Sequence, residues 1–133
     1  MSIKKKVPNE KVNSSTETIN PTQIKVHKDP LFNIGDIVKH RIYPFRGVIV
    51  DVDPEFSNTE EWYQSIPAEI RPSRNQPYYH LMAENTETFY TAYVSQQNLV
   101  DDGDNGPLEH PDLDEIFSGM EKGKYHLRNE VRN

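Results

Sequence analysis

Proline occurs ten times in this chain, and its positions limit every element that can form. A proline removes a backbone donor, fixes φ and pushes the preceding residue towards extended backbone, so helices and ladders stop where it falls. Pro54 closes the most β-branched run, Val48-Ile49-Val50-Asp51-Val52, while Pro67 and Pro72 cut short any helix begun at Ser57. With only six glycines and a mean hydropathy of -0.85, this punctuation predicts a small core made from short strands. A length of 133 residues leaves room for one domain and its tails. No stretch approaches the roughly 18 consecutive apolar residues of a membrane span, and Met1-Ser-Ile-Lys-Lys-Lys lacks the apolar run of a secretion signal, so a cytoplasmic protein is expected.

Residues 1–30 show neither a helical nor an alternating period and carry six lysines against three acids, which reads as a disordered basic arm. A domain is expected over residues 31–101, beginning with a Gly35-Asp36 turn that leads into a strand at Ile37-Val38-Lys39-His40. After Val48–Val52, Ser57 and Asn58 each precede a glutamate by three positions, the pattern of a helix start, and Glu69 to Pro77 reads as a connecting loop. Tyr78–Glu84 and Phe89–Val94 read as an aromatic hairpin, and Gln97–Val100 closes the unit. Residues 102–133 read as an acidic loop, a short helix and a flexible tail, the helix carrying Leu113, Ile116, Phe117 and Met120 on one stripe. The fold class expected is mostly β: a small antiparallel barrel, SH3-like rather than OB-like, with one short inserted helix and flexible termini.

Charge is divided unevenly. Residues 31–110 hold five basic and thirteen acidic side chains, a formal charge of -8, so the folded part repels nucleic acid on average. Any DNA contact would have to come from single cations, with Arg41, Arg46, Arg71 and Arg74 as the candidates and Lys4-Lys5-Lys6 on the arm. Cysteine is absent, which removes disulfides, thiolate nucleophiles and the commonest structural zinc sites, and the five histidines lie far apart in sequence. No catalytic residue, metal or cofactor is therefore expected. Asp51 and Asp53 read as strand-end carboxylates with no third group spaced to complete a site, and His80 reads as a hydrogen-bonded sheet residue. There is no nucleophile elbow and no phosphate loop. Aromatic residues are the stronger signal: strand alternation forces some of Trp62, Tyr63, Tyr78 and Tyr90 outward, where they would serve a partner.

The pieces Phe32-Asn-Ile-Gly35-Asp-Ile-Val38-Lys-His40, Phe45-Arg-Gly47-Val-Ile-Val-Asp51-Val-Asp53-Pro54, Pro77-Tyr78-Tyr79-His80, Thr91-Ala-Tyr93-Val-Ser-Gln-Gln-Asn98-Leu99 and Glu109-His110-Pro111 follow in order. Together they resemble the heat-shock protein HspQ family, also called the YccV-like or hemimethylated-DNA-binding domain family. The resemblance implies an SH3-like barrel without enzymatic activity, a stress-response specificity factor for an ATP-dependent protease such as Lon, with the initiator DnaA a target. It also implies, as the alternative, recognition of hemimethylated DNA. Self-association, as a trimer, is implied as well. Leu127, Arg128 and Asn129 are similar to the Leu-Arg-Asn ending of relatives and join the partner-binding candidates, although Glu130-Val-Arg-Asn133 extends the chain past them. The arm of residues 1–30 has no counterpart in the family pattern.

Overall fold

The computed structural model describes residues 26–129. Most of the expected basic arm, including Lys4-Lys5-Lys6, lies outside the described residues, as does Glu130–Asn133. Ordered contacts begin before Leu31: the side-chain amide of Gln96 donates to the His27 and Asp29 carbonyls at 3.1 Å each, and its oxygen accepts from Leu31 N at 2.8 Å.

Five strands form one antiparallel sheet: β1 (Ile37–His40), β2 (Arg46–Asp53), β3 (Tyr78–Glu84), β4 (Phe89–Ser95) and β5 (Leu99–Asp101), in the order β4-β3-β2-β1-β5. The closed barrel expected from the sequence is not what this pairing gives, because β4 and β5 stand at opposite edges. A single 3-10 turn, Gln96–Asn98, links them. Within β2 the register slips between Ile49 and Asp51, a bulge that turns Ile49 and Val52 to the same core. That core holds Val38, Phe45, Ile49, Tyr79, Leu81, Ala83, Val94 and Leu99. Helix α1 (Glu60–Gln64) starts where expected, but its cap is Thr59, whose Oγ1 accepts from Trp62 N at 3.0 Å.

The carboxy-terminal region corrects the sequence reading. The apolar stripe Leu113, Ile116, Phe117, Met120 is helical only over α2 (Leu113–Ile116); β6 (Phe117–Glu121) and β7 (Lys124–Leu127) then form a hairpin. Lys122 and Gly123 take φ of 58° and 77°, the two positive values of a tight primed turn, which ends the helix period and favours strand pairing. Phe117 and Tyr125 pack with Ile37, Val48, Leu108 and Leu113 into a second core on the other face of β1 and β2. A short helix cannot bury this much alone, and the hairpin can. Leu127 and Arg128 are thus not part of a flexible tail: Leu127 ends β7, and Arg128 donates to the Ile116 carbonyl at 2.9 Å and the Asp114 carbonyl at 2.5 Å, while Asn129 is exposed just beyond them.

Candidate functional site

A groove of about 490 Å³ runs along β4. Ile42 and Tyr43 from the β1–β2 connection form one wall, Trp62, Ile66 and Ile70 from the segment inserted after β2 form the other, and Tyr90 to Ser95 line its length. No aspartate, glutamate, lysine or arginine lines it. Of the expected partner-binding aromatics, Trp62, Tyr78 and Tyr90 line this groove, Trp62 and Tyr90 half-buried.

Tyr63 and Tyr78, expected on an exposed face, are 5% and 1% exposed. Alternation does turn Tyr78 away from Tyr79, but the inserted segment folds over that face and buries it. The Tyr78 hydroxyl donates to the Ser73 carbonyl at 3.0 Å, its ring stacks on Tyr93 at 5.2 Å, and Phe56 packs against it. Tyr63 donates to the Pro72 carbonyl at 2.6 Å beneath the Arg74 guanidinium, which lies 4.0 Å from its ring centre. Burial pushes the Tyr78 hydroxyl pKa well up, and burial with the Asp53 carboxylate does the same to Tyr93.

Three of the four candidate DNA-binding arginines are engaged by other groups of the chain, Arg74 in a pair that stays exposed to solvent. Arg46 Nε meets Asp102 Oδ2 at 2.7 Å and its Nη2 donates to the Gly106 carbonyl at 2.8 Å. Arg71 donates to the Ile66 carbonyl at 2.7 Å. Arg74 grips Glu60 with two bonds of 2.7 and 2.8 Å, which together with the Gln64 amide hold that carboxyl down to about 2. Of these four, only Arg41, exposed beside the groove, has no side-chain hydrogen bond or ion pair among the described residues; the exposed Lys28, Lys39 and Lys122 likewise have none.

The β2–β3 register sets Asp51 opposite His80, which supplies the third group that sequence spacing did not provide. Ligand atoms of Asp51, Asp53 and His80 lie within 4.8 Å of one another. Asp53 Oδ2 is already engaged, by His80 Nε2 at 3.0 Å and by the Tyr93 hydroxyl at 2.8 Å, and Tyr93 in turn accepts from Ser57 N. A cation bound through that same oxygen would displace both bonds. The cluster as it stands ties the inserted segment to β2, β3 and β4.

His40 lines the groove and is the residue there whose charge would matter. Its Nδ1 accepts from Ile42 N at 3.0 Å and Tyr43 N at 3.1 Å, which fixes a neutral ring. Burial first, and the Arg41 charge second, lower its pKa to about 4. The unfolded chain protonates this ring near 6.5. Stability is therefore full above pH 6.5 and is lost as pH falls through 4, by up to about 3 kcal/mol. Urea unfolding across that window should show the loss, and a His40→Asn variant, which keeps an acceptor at that point but does not titrate, should show a flatter profile.

A family model described as hemimethylated DNA-binding protein YccV like matches residues 30–124. The chain belongs to the YccV-like family. It is similar to F-box only protein 21 from Homo sapiens, 31% identical over 104 residues, and from Mus musculus, 30% identical over 104 residues. Those matches cover 77% of this chain and 16% of each relative, so the YccV-like chain spans about a sixth of the length of these proteins. No solved structure matches it. Within this YccV-like domain, Ile42, Ile66, Ile70 and Ala92 are groove residues that the sequence reading did not single out. The available signal was an isoleucine in a turn, Ile42, and two isoleucines four apart, Ile66 and Ile70, on either side of Pro67.

Proposed function

We propose that this YccV-like chain is a non-enzymatic specificity factor of the cytoplasm that holds selected proteins for degradation by an ATP-dependent protease of the Lon type, DnaA among them. The observation that carries this reading is the contrast between the cations and the groove. Arg46, Arg71 and Arg74 are engaged by other groups of the chain in a domain of formal charge -8, whereas the groove along β4 is aromatic, apolar and uncharged. Protein segments suit such a surface and phosphates do not. An SH3-like curl of the sheet belongs to the proposal and is supported by the short 3-10 link between β4 and β5. So does self-association as a trimer, which light scattering would test.

Adding the full chain to the protease, ATP and DnaA should raise the initial degradation rate to a plateau. Ile42→Glu, which places a charge in the groove at an exposed position, should remove the effect, and Arg41→Ala should keep it. An unchanged rate with the unmodified chain would refute the adaptor role. The second reading, recognition of hemimethylated DNA, is favoured by the family description and by the unpaired Arg41.

A further inference from the structure

We propose that the free edge of β4 is a peptide-binding site that takes one extended, uncharged segment of a partner protein as an added strand. The phase of the ladder identifies the open groups. Gln96 N donates to the Pro77 carbonyl at 2.9 Å, so with Tyr78 opposite Ser95 the backbone of Val94, Ala92 and Tyr90 faces β3. Phe89, Thr91 and Tyr93 therefore aim their N–H and C=O groups away from the sheet. Among the described residues, no backbone or side-chain group bonds those of Thr91 or Tyr93.

Natural proteins blunt an open edge with a charge, a proline, a bulge or shortness. β4 has none of these: it runs Phe-Tyr-Thr-Ala-Tyr-Val-Ser, and its seven pairs with β3 keep one register. The opposite edge, β5, is three residues long and ends in Asp101. An edge left this sticky is explained by something that covers it. The aromatic groove follows β4 from Tyr90 to Ser95, and a second cavity of about 550 Å³ reaches Thr91, Ala92 and Tyr93 from the other face, with Trp62 in both walls and Asp51 and His80 in the second alone. Space is thus open on both sides of the edge. Ile66, Pro67 and Ile70 line the groove beside that edge. With no formal charge along the groove and His40 neutral, recognition comes from main-chain bonds and alternate small apolar side chains.

This deepens the adaptor reading, and measuring it without protease separates the two. The probe is a fluorescent, end-capped peptide Thr-Val-Thr-Val-Thr-Val-Thr, titrated with the full chain and followed by anisotropy, beside versions N-methylated at every Val or at every Thr. Only alternate N–H groups of an added strand face β4. One methylated set should therefore weaken binding at least about tenfold and the other should leave it nearly unchanged. Thr91→Pro removes an outward donor but no bond to β3, and should cost a similar factor. Raising salt from about 50 to about 500 mM should have little effect. No binding, equal loss with both methylated peptides, displacement of the probe by a synthetic peptide of residues 1–25, or self-association abolished by Thr91→Pro would each overturn the proposal. Peptide binding without faster proteolysis would leave this site standing and sink the adaptor.

Discussion

Gly35→Ala is expected to destabilise the domain by about 4 kcal/mol or more, a large fraction of the total stability of a domain this size. Two independent costs meet there. Gly35 has φ of 97°, which an L side chain rarely adopts. An added Cβ would also lie 2.2 Å from the Tyr125 carbonyl oxygen. That oxygen belongs to the β6–β7 hairpin, whose Tyr125 N donates to the Gly35 carbonyl at 2.9 Å, and Gly35 N donates to the Ile49 carbonyl at 2.9 Å. The backbone must separate where the hairpin docks, opening the second core. Chemical denaturation read by tyrosine and tryptophan fluorescence would measure this, and a change below about 1 kcal/mol would mean that the hairpin does not dock at Gly35.

Arg46→Ala should cost about 3–4 kcal/mol, because it leaves Asp102 buried without its cation. The Asp102 side chain is 4% exposed, and besides Arg46 its carboxylate accepts from the Asn105 amide at 2.5 Å. The same guanidinium holds the Gly106 and Pro107 carbonyls, so the loop leading to Leu108 and the second core loosens with it. Adding Asp102→Asn to Arg46→Ala should recover part of the loss, since the uncompensated charge is then gone. If the double variant is no more stable than the single one, the cost lies in the loop contacts. The result also bears on DNA assays: weak duplex binding by Arg46→Ala would report unfolding before it reported a lost phosphate contact.

Local chemistry made much of the sheet readable from sequence. β1 and β3 begin and end where β-branched and aromatic runs do, and Pro54 stops β2 one residue after Asp53. The carboxy-terminal hairpin was not readable, because Leu113, Ile116, Phe117 and Met120 satisfy a helical period as well as they serve the second core. Only the positive φ at Lys122 and Gly123 decides between the two, and Lys122 gives no warning of it. Alternation sets Tyr78 and Tyr79 on opposite faces, but the face expected to be exposed is covered by the segment from Phe56 to Pro72, whose folding depends on contacts distant in sequence. The same limit hid the fate of the arginines. Arg46 and Asp102 stand 56 positions apart, and nothing local to either announces the pair.

The claim on which the account turns is that the folded domain has little cationic surface left for phosphate and grips protein instead. Equilibrium binding of a hemimethylated duplex at low and high salt, by the full chain and by a variant with Lys4, Lys5 and Lys6 changed to alanine, tests it most directly. The account predicts weak binding that disappears as salt rises and is already lost in the alanine variant. Tight binding that survives those three changes and falls when Arg41 is replaced would contradict it.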